Sequence, residues 1–179
     1  MAGEEFTVGH MLVLEYKHLK LEQLGRISTR DNLIYVTLAS LAAVAAATIQ
    51  LNMTRLLLLL PPACMILGWT YLVNDQKVSA IGRHLRRVLI PKIRDALGTD
   101  SALFTWEFEH RSDPRRRIRK LGQLAIDLIT FCVPALAAIL VYSLVAPPMP
   151  AFIAISAAEA LGTLLLSWAI VDNADIAGT

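Results

Sequence analysis

Long stretches without a single charged side chain dominate the chain. Residues 32–54 carry none, residues 56–74 carry none, and residues 128–158 carry none, with the apolar character continuing to Val171. A membrane-spanning helix needs about 20 predominantly apolar residues. Four segments meet that requirement: residues 33–51, 56–73, 124–145 and 151–171. With 55% of its 179 residues hydrophobic, a soluble domain of this size would have more apolar surface than it can bury. The expected fold class is therefore all-α, a polytopic membrane protein with four transmembrane helices arranged as two antiparallel hairpins and a helical cytoplasmic layer. The expected organisation is a cytoplasmic amphipathic helix over 1–31, a first transmembrane hairpin over 32–74 and a basic cytoplasmic linker containing an amphipathic helix over 75–120. A second hairpin over 121–171 and a short cytoplasmic tail over 172–179 complete it. The N-terminus does not read as a secretory signal, because Glu4, Glu5, Glu15 and Lys17 interrupt it.

Lysine and arginine set the expected orientation. Of the 17 basic residues only Arg55 falls in a turn between spans; the others precede the first span or lie between the second and third. Both termini and the middle loop are expected in the cytoplasm, in a multi-pass protein of the cell inner (plasma) membrane. The net charge of +2 is not a nucleic-acid signal, because the cations sit beside the membrane, where anionic lipid headgroups attract them. Cys64 and Cys132 both fall within spans, where they serve as packing residues rather than a disulfide framework or metal ligands.

The first thirty residues carry a stripe of Met11, Leu14, Leu21, Leu24 and Ser28 at heptad-like spacing. The first span carries small residues four apart, such as Ala39, Ala43 and Ala47, and the fourth carries Ala154, Ala158 and Gly162; such faces let helices approach closely in lipid. Pro61-Pro62 and Pro134 predict kinks in the second and third spans. Val78, Ile81, Leu85 and Val88 continue the second span as an amphipathic helix expected to end near Pro91, weakened at Gly82. Phe104, Trp106 and Phe108 alternate with polar residues, which suggests an extended segment or headgroup-level anchors. Asp113-Pro114 reads as a helix start that feeds Arg115–Lys120 into the third span.

Asp127 and Glu159 are the two ionisable residues inside the later spans, and such groups are costly enough to suggest function by default. Asp127 is expected near the cytoplasmic side, reaching Arg119, Lys120 or interfacial water. Glu159 lies near the middle of the fourth span, where it either bonds a hydroxyl such as Ser156, Thr163 or Tyr142, or serves a pore or proton relay. Arg115, Arg116, Arg117, Arg119 and Lys120 read as a topology determinant and lipid contact, with phosphate recognition as the alternative. Glu107, Glu109, His110 and Asp113 match no metal spacing and read as a solvated acidic segment. No metal or cofactor is implied, and no nucleophile–base constellation points to an enzyme.

Two strings, Arg26-Ile27-Ser28-Thr29-Arg30-Asp31-Asn32-Leu33-Ile34-Tyr35 and Gly68-Trp69-Thr70-Tyr71-Leu72-Val73-Asn74-Asp75-Gln76-Lys77-Val78-Ser79-Ala80-Ile81-Gly82, give the chain its resemblance to a group of small uncharacterised bacterial four-helix integral membrane proteins. The resemblance implies no activity. It points to Arg26, Arg30, Asp31, Asn74, Asp75, Lys77 and Arg83 as either a polar network at the cytoplasmic ends of the first hairpin or ordinary caps and anchors. The leading expectation is an oligomeric membrane protein with a cytoplasmic sensing or docking layer, working as a pore-forming channel or membrane effector. The rival expectations are a scaffold that recruits a cytoplasmic protein, a small ligand or anionic lipid, and a small proton-coupled transporter using Glu159.

Overall fold

The computed structural model describes residues 7–98 and 116–174, and every described element is helical. Four helical stretches are long and apolar enough to cross a membrane: Val8–Leu51, Thr54–Ala96, Arg117–Val145 and Pro150–Asn173. The expected aromatic segment at 104–108, the acidic group at 107–113 and the Asp113-Pro114 start all lie outside the described residues.

Helix α1 runs Val8–Leu51. The surface helix and the first span expected as separate pieces are thus one helix, since no proline occurs in it and its single mid-helix polar cluster, Arg30-Asp31-Asn32, is tolerated by helical backbone. Asn52 ends it with φ at 50°, a left-handed conformation that asparagine accepts more readily than most residues. The Asn52 amide bonds the Ile49 carbonyl and the Met53 amide bonds the Thr48 carbonyl, so a Schellman motif closes the helix.

Pro61-Pro62 accompanies a broken turn, the alternative to a kink that such a pair predicts. A 3-10 turn over Thr54–Leu59 comes first, and α2 begins at Leu60. The two prolines therefore occupy the first turn of α2, where absent amide donors cost least. Helix α2 continues to His84 and passes through a π segment, Leu85–Leu89, into α3, Ile90–Leu97. The expected stop near Pro91 does not occur. Ile90 donates to the Leu85 carbonyl five residues back, and this wider turn makes room for a proline that lacks a donor of its own. The stop comes at Gly98, whose φ of 59° suits glycine.

Helix α4 covers Arg116–Phe131, α5 covers Val133–Val145 and α6 covers Pro150–Asn173. The break expected at Pro134 is present: Cys132 has φ of −103° and the proline opens α5. The backbone bonds from Cys132 to Leu128 and from Leu136 to Cys132 persist, so the interruption is confined to a single residue.

The chain forms two compact units, one of Met1–Thr29 with Asn74–Arg116 and one of Arg30–Val73 with Arg117–Thr179. In the first unit Leu85, Leu89 and Ile93 form the core, covered by Leu12, Tyr16, Leu19 and Ile81. The π segment keeps 85, 89 and 93 on one line despite Pro91. Each such side chain contributes about 1.5–3 kcal/mol where water is the alternative. The packed face of α1 is therefore Leu12–Tyr16–Leu19, and the sequence-predicted stripe points elsewhere: Met11, Leu21 and Leu24 are exposed. In the second unit Tyr71, Leu72, Phe131, Cys132, Leu166 and Ile170 form the core. Here close fit matters more than water exclusion. A Cβ on Gly68 would lie 2.7 Å from Leu166 and 3.1 Å from Phe131, so glycine is what allows α2 to approach α4 and α6. Among the described residues the alanines of the first span are less closely covered: Ala39, Ala42, Ala43 and Ala46 are exposed and Ala47 is half-buried.

Candidate functional site

Two acidic residues inside the second unit meet very different surroundings. Asp127 is buried. The Gln123 amide donates to its Oδ1 at 2.8 Å and to the Tyr71 hydroxyl at 2.6 Å. Gln123 and Asp127 are four apart on α4, the spacing that brings side chains together on one helix face. Tyr71 is 2% exposed, its ring centroid 5.0 Å from that of Phe131. The Arg30 guanidinium lies over the same tyrosine ring at 5.9 Å, a cation–π distance. Arg30 also meets Asp31 at 3.5 Å. Arg30, Tyr71, Gln123 and Asp127 thus form a chain of polar contacts across α1, α2 and α4. Its acid is hydrogen-bonded within the protein, which makes the cluster a structural tie.

Glu159 is the opposite case. Its Oε2 is buried and has no hydrogen-bond partner, and the buried Ser156 hydroxyl has none either. The two residues are three apart on α6 and share a face with Thr163, Leu166 and Ile170, which are also buried. Other hydroxyls on these helices bond the carbonyl four residues back: Thr37 to Leu33, Thr163 to Glu159 and Ser167 to Thr163, all at 2.8–2.9 Å. Ser156 forgoes that bond, so its oxygen remains available on the same face as the carboxyl. The three hydroxyls expected as partners behave differently from expectation. Thr163 bonds the backbone of Glu159, Ser156 bonds nothing, and Tyr142 packs its ring 5.9 Å from Phe152.

The helix opposite this face is α2. Met65 sits over Gly162 so closely that a Cβ there would come within 2.5 Å of its sulfur. The paired positions step together, Met65 with Gly162 and Gly68 with Leu166, so α2 and α6 run in the same direction. That register brings Glu159 level with the Pro61-Pro62 turn, where the backbone is short of amide donors. A buried carboxyl oxygen and a buried hydroxyl lie three residues apart on α6, neither with a hydrogen-bond partner. Oxygen ligands of this kind suit a hard cation, a proton or an ordered water.

The remaining expected residues divide between the two units. In the first unit Arg26 bonds Glu22 at 2.6 Å and Asn74 Oδ1 at 3.3 Å, and the Gln23 amide donates to the Val78 carbonyl at 3.3 Å. Asp75 is half-buried, and Lys77 and Arg83 are exposed. In the second unit Arg30 and Asp31 pair with each other. Arg117 and Arg119 are exposed and Lys120 is half-buried on the first turns of α4. Arg115 lies outside the described residues, and Arg116 is described by its backbone alone. Sequence reasoning missed Gln123, Tyr71 and Gln23, and it named Ser156 as a partner for Glu159, a bond the structure does not form. Only Gln123 carried a local signal, its four-residue spacing from Asp127.

Comparison with protein-family models, curated proteins and solved structures finds no match to this chain.

Proposed function

We propose that the chain is a subunit of an oligomeric integral membrane channel or effector that passes a proton or small cation, with Glu159 as the intramembrane binding group. In this reading the four spans form two antiparallel hairpins in the inner membrane. Both termini, the first unit and the basic start of α4 face the cytoplasm, following the bias of lysine and arginine. The helical extensions of α1 and α2–α3 form the layer that docks a cytoplasmic protein or small ligand and gates the pore.

The observation that carries the reading is the buried Glu159 Oε2 without a partner, beside the buried Ser156 hydroxyl without a partner. A membrane protein bears the cost of an intramembrane carboxyl where ions or protons must be held. The test is flux into proteoliposomes made with the full chain. Wild-type protein passes protons or monovalent cations down an imposed gradient, and Glu159→Gln lowers the rate by at least about tenfold, as loss of an intramembrane ion ligand does. Equal flux in the two proteins sinks the reading.

A second reading, a non-catalytic scaffold that recruits a partner or anionic lipid, draws on the exposed cations of the first unit, Lys77, Arg83, Arg87 and Lys92. It forecasts binding to anionic vesicles and no flux under any gradient. A carrier that couples protons to a solute at Glu159 is the remaining variant, marked by flux that requires the solute.

A further inference from the structure

Among the described residues, helix α1 carries an uncovered stripe with a regular period. Met11, Leu14, His18, Leu21, Gly25 and Ser28 follow alternate steps of three and four residues. Five of these six are exposed and Leu14 is half-buried. The same stepping continues through Tyr35, Ala39, Ala42, Ala46 and Ile49, and each of these is exposed too. No lysine, arginine, aspartate or glutamate of α1 falls on the stripe. The side of the helix that its own chain covers, at Leu12, Tyr16 and Leu19, lies roughly 145° away around the helix axis at about 100° per residue.

Lipid cannot cover the first half of this stripe. The helix has 44 residues without a break, which at about 1.5 Å per residue makes it roughly 66 Å long against a hydrocarbon core of about 30 Å. Its uncharged half, after Asp31, is the half suited to span. The half before Arg30 carries Glu15, Lys17, Lys20, Glu22 and Arg26, charges that do not suit the hydrocarbon. Yet Met11 is 59% and Leu21 64% exposed there, on a face that repeats every 3.5 residues. That period is the one at which two helices supercoil and keep a single seam in contact.

We infer that this stripe is the seam by which α1 pairs, in parallel, with α1 of a second copy of the chain. The inference deepens the oligomer reading above and rests on it. Copies inserted the same way round are related by an axis along the membrane normal, so identical helices meet in parallel. The charges flanking the seam fit that geometry. With Met11, His18 and Gly25 at the first heptad position, Glu15 and Glu22 fall on one flank and His10 and Lys17 on the other. In a parallel pair each flank residue meets the opposite flank of its partner five residues on. Lys17 thus faces Glu22 of the second copy, and His10 faces its Glu15. An antiparallel pair would set Glu15 and Glu22 against their own copies. Glu22 already accepts from Arg26 at 2.6 Å through Oε1 while its side chain remains 49% exposed, which leaves an oxygen for the intermolecular bond. Glycine, serine and alanine on the seam let the backbones approach closely in both water and lipid.

The test is oxidative crosslinking of the full chain in proteoliposomes, in the wild-type background whose Cys64 and Cys132 are buried. His18→Cys and Leu21→Cys form disulfide-linked dimers, and Lys77→Cys, exposed on α2, forms roughly tenfold less, as expected when only the seam brings Cβ atoms within disulfide reach. Lys17→Glu lowers crosslinking at Leu21→Cys by about fivefold, the size expected from reversing two flanking ion pairs, and adding Glu22→Lys in the same chain restores it. Absence of crosslinks at positions 18 and 21, or equal crosslinks at 77, overturns the seam. So does a charge-swapped double variant that stays as weak as Lys17→Glu. Crosslinking at Leu21→Cys in a chain that keeps Glu159 and yet conducts nothing supports the seam and counts against the conduction reading alone.

Discussion

Asp127 and Glu159 are both acids inside the second unit, and the contrast between them separates structure from function. Asp127 has a donor four residues back on its own helix, a tyrosine one bond further and an arginine over that tyrosine. One link lies within α4 and the other two cross from α4 to α2 and from α2 to α1, so the acid costs little and belongs to a cluster that ties the three helices together. Glu159 has a buried oxygen with nothing to receive, next to a serine that has given up the usual bond to its own backbone. A buried polar group that the fold leaves unpaired costs about 1–3 kcal/mol. Two such groups lie on one face of one helix, and in the proposed reading they hold a place for a proton or small cation.

That contrast can be broken by substitution. Asp127→Ala removes one of the two acceptors of Gln123, so thermal stability in detergent falls by about 2–3 kcal/mol, the scale of a hydrogen bond to a charged group. Tyr71→Phe removes only the hydroxyl that Gln123 engages and costs about 1 kcal/mol, read in the same melt. Glu159→Leu fills the face with apolar volume and raises stability by about 1 kcal/mol, as replacement of an uncompensated buried ionisable group tends to do. Glu159→Gln changes stability by less than about 0.5 kcal/mol, the range for substitutions that break no existing contact, while it abolishes flux. Were Glu159→Gln to destabilise as strongly as Asp127→Ala, the two acids would be equivalent and the contrast would collapse.

The spans and the Pro134 break were legible because each rests on a local rule: a run of apolar residues long enough to cross, and a proline without a donor. The continuation past Pro91 was not, because it depends on a π turn that is worthwhile only when Leu85, Leu89 and Ile93 have α1 to pack against. The face of α1 that packs within the chain was not legible for a related reason. The helix is apolar on two sides, and only tertiary packing tells Leu12–Tyr16–Leu19 from Met11–Leu14–Leu21. At the site, Glu159 stood out as a break in an uncharged run. Ser156 did not, because a helical serine ordinarily satisfies itself on the preceding turn, and nothing in the sequence says that this one does not. Tyr71 and Gln123 sit 52 residues apart, a distance over which no spacing rule operates.

The most direct test of the difference is chemical. Dicyclohexylcarbodiimide is an apolar reagent that modifies carboxyl groups within the membrane interior. The full chain in proteoliposomes is treated with it and mapped by mass spectrometry, with and without a high concentration of sodium as competitor. Modification at Glu159, sensitive to the competitor and accompanied by loss of flux, with Asp127 unmodified, is the predicted result. Equal modification of both carboxyls, or modification of Asp127 with Glu159 untouched, would contradict the assignment of Glu159 as the open binding group.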